Sequence, residues 1–303
     1  MSPVQYRFNH ISHCNMCGAP ASQFKLMGKR LDRAQGKAPW KLEGITTPVK
    51  KCRNCSLIFS DPQPVPLDIQ DHYGIPPEQY WNNEDIFRYN EEFSYETGIL
   101  KQLMKIPIGA KALDIGAGLG KAMITLGKAG FDAYGLEPSE KFYQKAIEKM
   151  NIDPARLRLG MVESADYPEN EFDFITFGAV LEHLYSPGES LEQALRWLKP
   201  NGIIHVEVPS SRWLLSRLMN LYYRMRGSDF VSNISPMHAP YHLYEFGLQS
   251  FQLHGKANNY EVISYKYHVC STYLPKIADA IVRPYMNWTD SGMQLVIWLR
   301  KKS

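Results

Sequence analysis

No long apolar run interrupts this 303-residue sequence. The opening stretch, MSPVQYRFNHISHCNMC, has no apolar core of signal-peptide length, and nowhere do the roughly 18 consecutive apolar residues needed to span a bilayer appear. A cytoplasmic location is the expectation. Charge of one sign is also lacking: 34 Lys and Arg against 31 Asp and Glu leave a formal net charge of +3, which gives no global footprint for nucleic acid. Internal repeats with periods of about 20–50 residues and low-complexity tracts are absent, which excludes solenoids and propellers. Cysteines number only five. In a reducing compartment that is no disulfide framework, and their pairing along the chain points to a metal instead.

What is present suits one large domain and a smaller one. Apolar residues make up 44%, enough for a core, and 18 tyrosines suggest a lined pocket. Four of the five cysteines fall before residue 70. The run Asp61–Pro66 (DPQPVP) carries three prolines, which suit neither a helix nor a central strand, so it reads as a connector. Ile86, Phe87, Tyr89, Phe93, Tyr95, Ile99, Leu100 and Leu103 recur at helical spacing and predict a helix over about 84–105. From residue 111, short apolar strands alternate with helical stretches, which predicts a parallel sheet covered on both faces. Ligands of such sheets sit beyond the carboxyl ends of the strands. The pattern divides the chain into 1–70, a helical linker or lid at 71–110, and a main domain at 111–303 with an insertion at 210–245.

LDIGAGLG (Leu113–Gly120) follows the first strand of that pattern. Its glycines, Gly116, Gly118 and Gly120, allow a sharp strand-to-helix turn and let a ligand lie against bare backbone. A dinucleotide fingerprint would place its third glycine at 121, where Lys121 stands. Asp114 adds a carboxylate that suits an ammonium better than a pyrophosphate. Glu137, in YGLEPS beside Pro138, ends the next strand and can accept both hydroxyl protons of a ribose, or can merely cap the helix that starts near Ser139. Met161, Val162 and Glu163 follow another strand end, and Phe177–Gly178 close the fourth.

The succession LDIGAGLG, YGLEPS, EFDFITFGAVLEHL and LRWLKPNGIIHVEVPS resembles the class I S-adenosylmethionine-dependent methyltransferases over about residues 84–262. The resemblance implies an α/β fold with a doubly wound, mostly parallel seven-stranded sheet of the Rossmann-like type. It implies that Asp114, Gly116, Ala117, Gly118 and Gly120 contact the methionine part of S-adenosylmethionine. By the same resemblance Glu137 and Pro138 hold the ribose, Met161, Val162 and Glu163 flank the adenine, and Phe177–Gly178 lie near the sulfonium.

Cys14-Asn-Met-Cys17 and Cys52-Arg-Asn-Cys55 form two CxxC pairs. Two such knuckles supply four thiolates to one closed structural zinc site, with Gly18 and Ser56 suited to the tight turns. The intervening segment is expected to form a hairpin, with KLEGITTPVKKC as its returning strand. The other readings are a redox pair or four free thiols, and His10 or His13 replacing one ligand. Cys270 reads as a small core residue. The cysteine pairs ahead of this domain also resemble, more loosely, the zinc-bearing sugar C-methyltransferases and methyltransferases of polysaccharide and natural-product pathways. That implies a small-molecule acceptor, a sugar or nucleotide-linked sugar foremost.

Methyl transfer needs an aligned acceptor and often a proton acceptor. His183, in LEHL, is a general base, an acceptor-orienting group or a structural histidine; Glu182 beside it can orient the ring. In MHAPYHLYEF, the candidates are His238, His242, Tyr244 and Glu245. His238 and His242 share metal-pair spacing, but Pro240 between them argues against a helix. Tyr80 and Trp81 are wall candidates. SRWLLSRLMNLYYRMR (211–226), with Arg212, Arg217, Arg224 and Arg226, reads as a helix: an anion-binding lid, a peripheral membrane contact, or a plain half-buried helix. The competing functions are methylation of a natural-product scaffold or lipid-linked glycan, and a protein or RNA methyltransferase that docks its substrate on the zinc region, through the basic residues Lys25, Lys29, Arg30, Arg33, Lys37, Lys50, Lys51 and Arg53.

Overall fold

The computed structural model describes residues 4–74, 76–78, 84–270, 272 and 274–303. Seven strands share one sheet in the order β12-β13-β10-β9-β6-β7-β8. In chain order these are β6 (Lys111–Ile115), β7 (Asp132–Glu137), β8 (Leu157–Leu159), β9 (Phe172–Gly178), β10 (Leu198–Pro209), β12 (Tyr260–His268) and β13 (Gln294–Lys301). The pairings β6–β7, β6–β9 and β7–β8 are parallel. Each needs a crossover, and the helices between the strands supply it. This is the Rossmann-like arrangement the sequence predicts.

The chain separates into two compact units. One comprises Asp68–Gly178, Glu189–His205 and Arg300–Ser303. It holds β6–β9 and the helices α1 (Ser94–Leu103), α2 (Lys121–Lys128) and α3 (Glu140–Met150). Ala117, Leu119, Met123, Ala146, Met150, Ile152 and Leu157 pack into one cluster between α2, α3 and the sheet. Ser139 caps α3 by accepting from Phe142 N, and Asn151 ends it in the left-handed region at φ 54°.

The predicted 84–105 helix is broken. A 3-10 turn at Glu84–Phe87 precedes α1, and Glu91 and Phe93 lie between them at φ 60° and 67°. Tyr89 and Phe93, which lie outside α1, serve the interior instead, while Tyr95 on α1 stays exposed. Tyr89 Oη meets Thr125 Oγ1 at 2.9 Å, and the Phe93 ring stands edge-on to His205 at 5.1 Å.

The other unit joins Met1–Leu67 to Ala179–Gly188 and Val206–Leu299. The expected hairpin is there: β2 (Phe24–Leu31) pairs antiparallel with β3 (Thr46–Cys52). β4 (Ile58–Ser60) extends it, and the distant β11 (Tyr244–Glu245) completes a sheet ordered β11-β4-β3-β2. The supposed DPQPVP connector contains β5 (Gln63–Pro66), paired antiparallel with β1 (Tyr6–Asn9). A two-stranded ribbon has only edges, so its prolines cost no ladder bond. Gly28 is required where 229–231 crosses β2, because a Cβ there would lie 2.3 Å from the Asp229 carbonyl oxygen. Helix α4 (Pro187–Trp197) falls mostly in the first unit, and α5 (Leu214–Met225), α6 (Leu248–Ala257) and α7 (Lys276–Trp288) belong to this one. Cys270 falls just beyond β12, half-buried, with its Sγ 3.3 Å from Gln294 Oε1, rather than in a strand core. Among the described residues no helix is long and apolar enough to cross a membrane.

Candidate functional site

The glycine loop turns directly out of β6. Gly116, Gly118 and Gly120 adopt φ of 71°, 55° and 76°, and a Cβ on Gly120 would fall 2.6 Å from Ile152 Cγ1. Main-chain N–H groups of Gly116 and Ala117 donate to the Leu136 carbonyl at 2.7 and 3.0 Å, which ties the loop to the end of β7. The Glu137 carboxylate is clamped there. Gly118 N donates to Oε2 at 2.7 Å and Ser139 N to Oε1 at 2.8 Å.

Glu137 is only 5% exposed, so it is no surface cap; Ser139 itself caps α3. A carboxylate offers about four acceptor positions, and the main chain uses two, leaving capacity for a diol. Burial pushes Glu137 up to about 7 against those two donors. Burial, then the neighbouring Glu137, pushes Asp114 up to about 8. Two buried carboxylates at one loop suit a ligand with cationic groups and hydroxyl donors, and repel a pyrophosphate. The residues present therefore fit S-adenosylmethionine.

Pro138 is half-buried, and its carbonyl accepts from Gln70 Nε2 at 3.2 Å. After β8, Gly160 N bonds the Glu137 carbonyl at 3.0 Å; Val162 is buried, while Met161 and Glu163 are exposed. β9 ends in a buried Phe177 and an exposed Gly178.

Cys14, Cys17, Cys52 and Cys55 converge with all four sulfurs within 4.8 Å of one another. Cys14–Cys55 and Cys17–Cys52 stand 3.5 and 3.7 Å apart, close to the edge of about 3.8 Å that a tetrahedron with Zn–S bonds of about 2.3 Å requires. Both knuckles close alike. Gly18 N donates to Cys14 O and Ser56 N to Cys52 O, each at 2.9 Å, and Gly18 and Ser56 take φ of 69° and 68°. Asn54 Nδ2 donates to Cys17 Sγ at 3.4 Å. A hydrogen bond from Cys55 holds the Cys14 thiol down at about 5, while burial raises Cys52 to about 11. His10 turns to Asp61, 3.3 Å away, and His13 to Ser12; neither joins the four sulfurs.

In that same unit Glu182, His183 and His242 come together, their ligand-capable atoms within 4.8 Å of one another. His242 Nε2 lies 3.8 Å from Glu182 Oε1, and the two imidazoles stand edge to face at 5.0 Å. Burial pushes Glu182 up to about 8, with Glu207 adding like charge, and lowers His183 to about 4. Burial, then His183, lowers His242 to about 3.

The other candidates sit apart from this trio. His238 Nε2 meets Arg30 Nη2 at 3.4 Å in a segment that is not helical, and burial, then Arg30, lowers it to about 4. Tyr244 is fully buried; its hydroxyl accepts from Gln63 Nε2 at 2.8 Å and Asn15 Nδ2 at 2.5 Å and donates to the Tyr185 carbonyl at 2.9 Å. Glu245 accepts from Asn233 Nδ2 at 2.6 Å and Ile234 N at 3.0 Å. Tyr80 and Trp81 lie outside the described residues.

In the insertion, α5 matches the predicted helix. Arg217, Arg224 and Arg226 are exposed, and Arg212 donates to the Thr289 carbonyl at 2.9 Å. Part of the basic patch is neutralised: Lys29 pairs with Asp229, Arg33 with Asp32 and Lys50 with Asp61, at 3.1, 3.1 and 2.7 Å. The sequence offered no signal for the Asn15–Gln63–Tyr185 partners of Tyr244, since they come from three separate stretches.

A mostly parallel α/β sheet with a glycine turn after β6 and a clamped acid at the end of β7 defines a nucleoside-binding domain. Residues 87–265 match the methyltransferase-domain family. That is more than half the chain, and the protein belongs to this family of class I S-adenosylmethionine-dependent methyltransferases; the cysteine region precedes the matched segment. The ubiquinone biosynthesis O-methyltransferase of Bradyrhizobium diazoefficiens is 32% identical over 109 residues, 35% of this chain and 42% of that protein. The protein of the same name in Methylococcus capsulatus is 28% identical over 173 residues, 54% of this chain and 72% of that protein. The chain thus spans under half the length of the first relative and nearly three quarters of the second. Among solved structures, the YcgJ protein of Bacillus subtilis aligns at a TM-score of 0.49 and 16% identity, over 69% of this chain and 99% of that one.

Proposed function

We propose that this protein transfers the methyl group of S-adenosylmethionine to a small-molecule acceptor, with a sugar or nucleotide-linked sugar as the favoured class. The observation that carries this reading is the Glu137 carboxylate, clamped by Gly118 N–H and Ser139 N–H beside the glycine loop. Bound S-adenosylmethionine supplies a methyl carbon already activated by a positive sulfur. The chain's own residues bind and align.

Asp114 and the loop residues Gly116, Ala117, Gly118 and Gly120 hold the amino-acid part. Glu137 takes the ribose hydroxyls beside Pro138. Met161, Val162 and Glu163 border the base, and Phe177 and Gly178 border the sulfur. Glu182, His183 and His242 orient the acceptor. Imidazoles lowered to about 4 and 3 are weak bases at neutral pH, which favours orientation over proton acceptance by the rings. His238, Tyr244 and Glu245 act as positioning residues, through Arg30, through Asn15 and Gln63, and through Asn233.

The four cysteines hold one structural zinc ion in this reading. With all four positions taken by sulfur, the ion has no open site for chemistry.

The relatives' O-methyltransferase names favour a hydroxyl acceptor and keep a phenolic ring as the second reading. The test is release of S-adenosylhomocysteine from S-adenosylmethionine in the presence of free sugars, nucleotide sugars and catechol-type phenols. Turnover with a sugar acceptor supports the first reading and turnover with phenols alone the second. Turnover only with protein or RNA would replace both.

A further inference from the structure

We propose that Glu182, His183 and His242 bind one first-row divalent metal ion, at a site distinct from the four cysteines. Two imidazole nitrogens and one carboxylate form a set that first-row divalent ions favour and that leaves coordination positions open. The three ligand atoms lie within 4.8 Å of one another. A contraction of under 1 Å brings them to the roughly 3–4 Å spacing of groups held about 2.1 Å from a single ion.

Three further features belong to a built site. Glu182 is 1% exposed, and its Oε2 has no hydrogen-bond partner among the described residues, while Oε1 faces His242 Nε2. A buried carboxylate oxygen without a donor is costly, and a cation removes that cost. The Tyr241 carbonyl accepts a hydrogen bond from the His183 ring. An N–H donated to a backbone carbonyl fixes the tautomer and leaves the lone pair on the other ring nitrogen, the usual outer-shell arrangement of a metal-bound histidine. Finally, Leu243 N donates to the Glu182 carbonyl at 2.8 Å, which fixes the stretch bearing His242 against the one bearing Glu182 and His183.

Access agrees with this assignment. The His242 side chain is 27% exposed, so an ion has an entry side. On the methyltransferase reading, the open positions take an oxygen of the acceptor and orient it, and a bound hydroxyl is acidified. Ion binding itself does not depend on that reading.

Mn2+ is the probe, because it prefers nitrogen and oxygen to the thiolates of the cysteine site. The protein, free of any polyhistidine tag, is titrated while the electron paramagnetic resonance of free Mn2+ is followed. S-adenosylhomocysteine binding is measured by calorimetry on the same samples. The expected result is one Mn2+ per chain, weakened at least tenfold in both Glu182→Gln and His242→Gln, with S-adenosylhomocysteine affinity unchanged. Should Glu182→Gln fail to fold, the substitution at the less buried position, His242→Gln, decides alone. Absence of Mn2+ binding, or binding that survives the substitutions, overturns the ion site while leaving the methyltransferase reading intact. Mn2+ bound at this site with no S-adenosylhomocysteine binding does the reverse.

Discussion

The glycine cradle and the cysteine–histidine region are built in opposite ways. Asp114, Gly116, Gly118, Gly120, Glu137 and Val162 come from a single run of β6, β7 and β8 within one compact unit. The other unit is assembled from 1–67, 179–188 and 206–299. In it, Cys14 and Cys52 meet across a hairpin, and His242 meets Glu182 only because the chain returns. A site folded from one run depends on local turns and caps. A site gathered from three stretches depends on the cross-links that hold them, and the two regions should fail separately.

Metal loss should give the largest effect. Chelation, or Cys52→Ser, is expected to release one zinc ion and open the 4–67 region, because structural zinc affinity is largely folding energy. Hydrogen exchange should rise over β2, β3 and β4 while β6 and β7 stay protected. A metal-free preparation with unchanged exchange would remove the zinc. Next comes Tyr244→Phe, which leaves the Asn15 and Gln63 amides without their shared acceptor. A loss of about 1–3 kcal/mol in denaturant unfolding is expected, with the S-adenosylhomocysteine affinity untouched.

The cradle should respond to pH instead. With Glu137 raised to about 7, raising the pH from 6 to 8 should tighten S-adenosylhomocysteine binding by up to about tenfold, since about 1.4 kcal/mol corresponds to one pKa unit. Glu137→Gln should flatten that profile. In the ligand-free protein the sign for stability is opposite. Between the unfolded value of about 4.5 and the folded value of about 7, the folded state keeps a proton that the unfolded chain has lost, so this group's contribution falls as pH rises through that window. The smallest effect is Ser139→Ala, which removes the cap of α3 at about 1 kcal/mol, read as a lowered midpoint with the cysteine region unaffected.

The same contrast explains what the sequence made legible. Glycines before a helix and an acid at a strand end are local requirements, so the glycine turn, the strand-end acid Glu137, the alternating strands and both cysteine knuckles could be read directly. The breaks were non-local. Tyr89 and Phe93 answer to Thr125 and His205 rather than to a helix face. DPQPVP becomes β5 because β1 lies beside it, and Tyr244–Glu245 becomes β11 because β4 offers an edge. Helix α7 carries Pro284 in its interior, which hides it from pattern reading. His183 with Glu182 beside it, and His242 by itself, were visible in the sequence, but the meeting of all three was not.

Calorimetric titration with S-adenosylhomocysteine at pH 8, of the wild type and of Glu137→Gln side by side, tests the central claim most directly. The expected result is one site per chain, weakened about 10- to 150-fold by the substitution, as the loss of about 1.5–3 kcal/mol in charged hydrogen bonds implies. No heat in the wild type, or equal affinity in both proteins, would contradict the account.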